Sequence, residues 1–541
     1  VTPGEVVWAK VDILMSHDPC APGVASVFKK EFGQDAKIWD PTRFIMIPDH
    51  FVYSADPQAN QNIRMMREFA AEQNVKYFYD VGTPNYKGVC HIGLAEGGHT
   101  RPGEVLLGTD SHTVTAGAFG TFAIGLGITD AAYAIGTGEI PLKVPSTIRV
   151  NFTGTKPAHV LAKDMILAVL SELTVDGATY QAIEFGGNVT DELSVEERMT
   201  ICNMVVECGA KNGIMVPNQA TLDYLAERNE LPFEIVYPDE DAEYSRVVNI
   251  DVSDMQPKIA KPHSPDNVVS IEKVANVAIS QAYIGSCTGG KLEDFVAAAR
   301  IIKGHKVKIP TYAVPATKEV FHKTITTQIE GVSVYQILTD AGVKLSAEAG
   351  CAACCGGPQD TFGRVNDPIS VYVLEDNIDT DQILAGEYIK INPSSPEGYA
   401  QLASLAMCGL PEGALPFIDE EKGKAKYPII VAGQNFGCGS SREHAVVALG
   451  ASGVKAVLAQ SYARIFFRNC VSTGEVLPVA AQKRLCDKLV TGDSIEIDIE
   501  NQTVTLLESA EKYPTDPVGE LANIVAAGGL FSYARATGRI K

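Results

Sequence analysis

The stretch Glu104-Val105-Leu106-Leu107-Gly108-Thr109-Asp110-Ser111-His112-Thr113 passes from an apolar run through a glycine to an acid, a hydroxyl and an imidazole. A continuous apolar run bounded by a turn signal reads as a strand buried on both faces, and the polar group after it marks the carboxyl end of that strand. The same grammar recurs where Phe44-Ile45-Met46-Ile47 leads to Asp49-His50, and where Ile429-Ile430-Val431-Ala432 leads to Gly433. Helix-like periodic segments follow these runs, so the fold class is α/β with largely buried strands. In such sheets reactive groups collect at the carboxyl ends of the strands.

At 541 residues the chain exceeds a single core. Boundaries are expected near 145, 265 and 368, giving α/β units over 1–145, 146–265, 266–368 and 369–541. Polar segments rich in Pro and Asp, Tyr237-Pro238-Asp239-Glu240-Asp241 and Pro262-His263-Ser264-Pro265-Asp266-Asn267, suggest junctions, and Val371-Tyr372-Val373-Leu374 is expected to open the last unit with a strand. Forty-five basic against sixty-six acidic side chains leave a net charge of −21, which argues against nucleic acid or an anionic membrane as partner. A hydrophobic fraction of 45% without an eighteen-residue apolar run is that of a soluble enzyme of the cytoplasm or an organelle matrix. The start at Val1 reads as processed or trimmed, with no targeting segment visible. The glycines from Gly117 to Gly138 lack a dinucleotide fingerprint and instead predict tight packing of helix and loop around a site.

Three of the twelve cysteines stand out: Cys287 in Ile284-Gly285-Ser286-Cys287-Thr288-Gly289-Gly290, and the pair in Cys351-Ala352-Ala353-Cys354. The pair alone also suits zinc, a redox dithiol or plain burial. The glycines beside both segments allow close backbone approach to a bulky inorganic group, and Val277-Ala278-Ile279 reads as the apolar stretch leading to Cys287. A four-iron cluster on three thiolates keeps one iron without a protein ligand, able to act as a Lewis acid on a hydroxy acid. The other nine, Cys355 included, read as buried thiols.

Asp49-His50 and Asp110-Ser111-His112, with His91, form a second group. A carboxylate beside an imidazole sets its tautomer and raises its pKa, giving a proton donor near neutral pH, although single histidines are usually structural or solvated. Asn203 and Glu207 lie four apart and would share one face of a helix, as a solvated stripe or a partly buried pair. The segment Gly433-Gln434-Asn435-Phe436-Gly437-Cys438-Gly439-Ser440-Ser441-Arg442-Glu443-His444 combines loop amides, a helix start, hydroxyls and an arginine into a carboxylate pocket, and it lacks the ending of a P-loop.

On these motifs, together with Ile201-Cys202-Asn203-Met204 and Asp379-Thr380-Asp381-Gln382, the chain resembles the aconitase superfamily of iron-sulfur hydro-lyases. It is most similar to the isopropylmalate isomerase branch, with large and small subunits joined in one polypeptide. The resemblance implies a three-domain α/β/α body carrying a 4Fe-4S cluster on Cys287, Cys351 and Cys354, capped by a C-terminal swivelling α/β domain. It implies Ser440 as the base that takes the carbon-bound proton and the Asp49-His50 pair as proton donor to the leaving hydroxyl. His91, Asp110, His112 and Glu207 would line the same site, with Ser111, Asn203, Asp381, Ser441 and Arg442 at the substrate, a hydroxy di- or tricarboxylic acid.

The implied reaction is isomerisation of 2- and 3-isopropylmalate by dehydration and rehydration, in leucine biosynthesis. Phe436-Gly437-Cys438-Gly439 stands where aconitases show Tyr-Gly-Glu-Gly, and Ile383, Leu384 and Ile389 in the segment matching the family's specificity loop suit a branched alkyl group better than a third carboxylate. The rivals are a homoaconitase or another 2-alkylmalate dehydratase and, in another class, a cluster-free binding or regulatory protein. One departure is an Asn-Arg-Asn-Phe-x-Gly-Arg stretch, expected after the cysteine pair but missing beyond Gly363-Arg364; omission of a mobile active-site segment is the preferred reading, deletion the other.

Overall fold

A computed structural model describes residues 1–52, 57–275, 277–279, 281–351, 376–410, 416–419, 423–439, 442–489, 491, 493, 495–498, 501–506, 511–516, 524, 527 and 529–540. The first layer is a five-stranded parallel sheet built from β1 (Ile13–Ser16), β2 (Phe44–Met46), β3 (Tyr77–Phe78), β4 (Val105–Gly108) and β5 (Phe122–Gly125), in the order β3-β2-β1-β4-β5. Leu14 pairs with Phe44 and Ile13 with Leu106, so β1 lies at the centre. Leu14, Met15, Phe44, Ile45, Leu106 and Leu107 have no exposed surface, which is why the runs are apolar without alternation. The strand order reverses between β1 and β4. Loops leaving the carboxyl ends of those neighbours diverge there and leave a crevice.

A second parallel sheet holds β6 (Thr147–Thr153), β7 (Ala182–Gly186), β8 (Asn212–Met215) and β9 (Arg246–Asp251) in the order β8-β7-β6-β9. The segment Pro262 to Asn267 is the turn of a hairpin that pairs Lys258–Ala260 with Val268–Ser270. A third parallel sheet contains β10 (Ala282–Ile284), β11 (Thr311–Ala313) and β12 (Lys344–Leu345). It is β10 that leads to Cys287. Val277 and Ile279, expected in that part, are each 63% exposed instead, because the strand starts five residues later than the apolar pattern suggested.

The C-terminal part has a parallel sheet of β13 (Ile429–Ala432), β14 (Ala456–Ala459) and β15 (Leu477–Ala480). Helices α1 (Glu443–Ser452) and α2 (Arg464–Thr473) follow β13 and β14. Ile383 and Leu384 are wholly buried in the core of this part, and Ile389 packs with Phe51 and Ala59. These three were expected to face substrate; packing consumes them. The strand expected at 371–374 lies outside the described residues.

Candidate active site at the strand ends

The acid–imidazole groups converge at the crevice. Asp49 Oδ1 lies 2.7 Å from His50 Nδ1, and its Oδ2 accepts from the Cys90 amide at 2.9 Å. Asp110 Oδ1 is 3.0 Å from His91 Nε2 and accepts from the His112 amide at 2.7 Å. His112 Nε2 reaches Glu207 Oε1 at 3.1 Å. Three carboxylates thus face three imidazoles within one buried region, and the Asp110 Oδ2 atom lies 3.5 Å from His50 Nε2 as well.

Charge pairing decides the ionisation states. Burial alone would raise the Asp110 carboxyl, but His91 and the bonds to His112 and His91 hold it well below the usual carboxylate range. Asp49 is lowered too: burial opposes, while the charge and hydrogen bond of His50 outweigh it. For Glu207 burial is again overcome, by His112 and Lys163. His112 goes the other way, since Asp110 and Glu207 lift it well above an ordinary imidazole despite burial. The site therefore holds fixed anions and an imidazolium at neutral pH.

Asn203 and Glu207 do not share one α-helical face. The helix Val195–Asn203 ends there, and Met204–Cys208 continues as a tighter 3-10 turn closed by Gly209 at φ 78°. Asn203 donates to Thr115 at 2.9 Å and its Oδ1 lies 3.8 Å from Cys287 Sγ, whereas Glu207 turns to His112. The two residues meet the same site from different directions.

Cys287 sits on a short helical turn behind Ser286, whose backbone is left-handed at φ 75°. Cys351 presents its thiol to that of Cys287, and this neighbour, with burial, pushes the Cys287 thiol well above its usual pKa. Two adjacent buried soft donors beside an amide oxygen fit an iron-sulfur group, which would draw them into the thiolate form. Cys354 and Cys355 lie outside the described residues, as do Ser440 and Ser441. The expectation of nine plain buried thiols needs correction. Cys408 is exposed, Cys438 and Cys486 are half-buried, and Cys438 lines the cavity described next, because turns and loops rather than core strands carry them.

A cavity of about 330 Å3 lies between the body and the C-terminal part. Ser111, His112 and Glu207 face it from one side, and Asp379, Asp381, Cys438 and Arg442 from the other. Arg442 is 3% exposed and grips Asp381 through both terminal nitrogens, Nη2 reaching Oδ2 at 2.9 Å, while Nη1 also donates to Leu384 O at 3.1 Å. Val175, Val206, Ala463 and Ile465 supply an apolar stretch of wall. The glycine-rich span packs as expected: a Cβ on Gly125 would stand 2.5 Å from the Asp110 carbonyl oxygen, and one on Gly127 would strike Glu443 and Asn469.

Sequence reasoning missed His17, Asp18 and Lys163. His17 Nε2 approaches Asp110 Oδ2 at 3.5 Å and its ring packs edge-on against His50 with centroids 4.7 Å apart. The signal was present, since Ser16-His17-Asp18 follows the apolar Ile13-Leu14-Met15 just as Asp49-His50 follows its own run. Lys163, pushed down to about 8 by burial and by Lys291, contacts Thr288 next to Cys287. Nothing in its local pattern distinguished it from a helix-start lysine.

A family model described as the aconitase family (aconitate hydratase) matches residues 11–377, and one for the aconitase C-terminal domain matches residues 411–484. The chain is 50% identical over 380 residues to the 3-isopropylmalate dehydratase large subunit, chloroplastic, of Arabidopsis thaliana, covering 68% of this chain and 75% of that protein. It is 38% identical over 406 residues to a probable methanogen homoaconitase large subunit of Methanothermobacter thermautotrophicus, covering 71% and 92%. A solved 3-isopropylmalate dehydratase from Methanocaldococcus jannaschii aligns at 37% identity with a TM-score of 0.26, over 30% of this chain and 90% of that one. Among the described residues no helix is long and apolar enough to cross a membrane.

Proposed function

The chain belongs to the aconitase family of hydro-lyases, whose members generally carry a four-iron four-sulfur cluster and act on hydroxy carboxylic acids, and from that premise we propose that it isomerises 2- and 3-isopropylmalate by dehydration and rehydration. On this reading large- and small-subunit parts share one polypeptide, divided near 145, 265 and 368, and the enzyme serves leucine biosynthesis in the cytoplasm or an organelle matrix. The observation that carries the proposal is the convergence of three acid–imidazole pairs beside two buried thiols, with one of those pairs, His112–Glu207, lining a cavity together with Arg442.

Cys287, Cys351 and Cys354 would hold the cluster, which when bound supplies a Lewis-acidic iron for the hydroxyl and a carboxylate of the substrate. The protein groups do the rest. Asp49 accepts from His50 Nδ1, which sets the tautomer and leaves Nε2 to carry the proton given to the departing hydroxyl. Asp110, kept ionised, orients His91 and faces His50 Nε2. The His112 imidazolium, backed by Glu207, and Arg442, steadied by Asp381, balance the charge that develops on the substrate carboxylate as its neighbouring carbon loses a proton. Ser440 is the base for that proton, with Ser111, Asn203 and Ser441 completing the substrate contacts. After reorientation of the unsaturated acid the same groups run the steps in reverse at the adjacent carbon.

The apolar wall of Val175, Val206, Ala463 and Ile465 supports an alkyl-bearing substrate. Homoaconitase activity remains the second reading, favoured by the 38% identity to the methanogen protein. Anaerobic loading with iron and sulfide, followed by turnover of isopropylmalate and homoaconitate, tests both. Faster turnover of isopropylmalate supports the proposal and faster turnover of homoaconitate overturns it. Absence of charge-transfer absorption together with absence of hydratase activity would leave the cluster-free binding protein.

A further inference from the structure

Asp18 lies two residues beyond the end of β1 and is 1% exposed. Its carboxylate accepts three consecutive backbone N–H groups of the loop after β2: Asp49 N at 2.7 Å and His50 N at 2.9 Å on Oδ1, and Phe51 N at 2.7 Å on Oδ2. A carboxylate receiving three amides is a charge-assisted contact of the kind that fixes backbone geometry. The loop held in this way carries Asp49 and His50, and the Asp49 carbonyl in turn accepts the Cys351 amide at 2.7 Å. Gly350 is pressed against the same loop, since a Cβ there would stand 2.8 Å from Val52 and 3.1 Å from the Asp49 carbonyl oxygen. The neighbouring His17, anchored to Thr109 Oγ1 at 2.7 Å through Nδ1, lies against the His50 ring.

We propose that Asp18 is a positioning residue of the reaction, which shapes the Asp49–Phe51 backbone so that His50 Nε2 faces Asp110 and the Cys351 segment docks beside it. The inference rests on the hydro-lyase reading above. Oriented catalytic groups lose rate steeply when displaced by about an ångström, and an amide at this position cannot accept all three N–H groups, because its own NH2 would meet a donor.

The test compares the full chain with Asp18→Asn and with Asp164→Asn. Asp164 is a matched control that touches neither the Asp49–Phe51 loop nor the Cys351 segment: also buried, it accepts the Leu161 and Lys258 amides at 2.8 and 2.7 Å. Expected for the cluster-loaded Asp18→Asn enzyme is a kcat per bound iron at least tenfold below wild type, with KM within threefold. Hydrogen exchange of the 47–52 peptide, measured without cluster, is expected to quicken at least tenfold. Asp164→Asn is expected to lower the melting temperature without altering kcat or that peptide. A kcat for Asp18→Asn within twofold of wild type, unchanged exchange at 47–52, or an equal loss of kcat in Asp164→Asn would overturn the proposal. If Asp18→Asn does not fold, Asp18→Ser is judged by the same exchange measurement. Wild type inert toward every malate derivative would sink the reading of function, while the exchange experiment still decides whether Asp18 holds the loop.

Discussion

The carboxylates at the strand ends and the carboxylate at the joint between body and C-terminal part behave oppositely. Asp49 and Asp110, joined by Glu207 from the 3-10 turn Met204–Cys208, each face an imidazole, and each is held below the usual carboxylate range although burial pulls the other way. Glu443, as buried as Asp49 and Asp110, faces the amide and hydroxyl of Thr129 at 2.9 and 2.8 Å, with Asp130 and Glu475 nearby, and is pushed up to about 7. At the same joint Asp130 binds Arg468, while Arg464 Nη2 has no hydrogen-bond partner among the described residues. Each strand-end acid meets an imidazole within the body, whereas at the joint Asp130 is matched by Arg468 but Glu443 meets no cation among the described residues. A carboxylate paired with an imidazole stays ionised over the working pH range, whereas Glu443 takes up a proton within it.

Breaking the matched side at its centre has the largest expected effect. Asp110→Asn removes the partner of His91 and the anion facing His50, and kcat of the loaded enzyme is expected to fall about 1000-fold. A loss under tenfold would break the contrast. Next comes Arg442→Lys, which keeps the charge but loses the two-point grip on Asp381; kcat/KM is expected to drop about 100-fold in steady-state assays.

Glu207→Gln sharpens the comparison through pH. On the proposed mechanism the His112 imidazolium is the form that serves the substrate, and it is lost as pH rises through its raised pKa. Without the Glu207 charge that pKa falls, so the alkaline limb of the kcat/KM profile is expected to move down by about one unit. The smallest effect belongs to the joint. The folded-state pKa of Glu443 lies above its unfolded value of 4.5, so the folded form binds more protons and stability falls as pH rises from about 4.5 through 7. Glu443→Gln keeps an acceptor for the Thr129 amide and presents an NH2 to the Thr129 hydroxyl, which turns from donor to acceptor, and its melting temperature is expected to gain on wild type by a few degrees at most between pH 5 and 8.

Much of this was legible in the chain. The apolar runs ending at Asp49 and Asp110 located two strands and the face on which the site lies, since a strand buried on both sides cannot be written otherwise. The motifs around Cys287, Asp110 and Arg442 pointed to the family that the match over residues 11–377 identifies. Other expectations failed where packing overrides pattern. Ile383 and Leu384 look like a lining for an alkyl group but are spent on a core, and the apolar cavity wall comes instead from Val175, Val206, Ala463 and Ile465, which lie far apart in the chain. Asn203 and Glu207 share a helical spacing, yet the helix tightens between them.

The amino-acid sequence by itself determined the α/β class and the chemical types available, because strand burial and metal-ligand chemistry are written in local runs and short motifs. Only the tertiary structure decided that His91 meets Asp110 and His112 meets Glu207, that Asp18 holds the loop of His50, and that Glu443, among the described residues, stands without a cationic partner. Those facts depend on atoms brought within about 3 Å by chain segments tens to hundreds of residues apart, and no local pattern carries that distance.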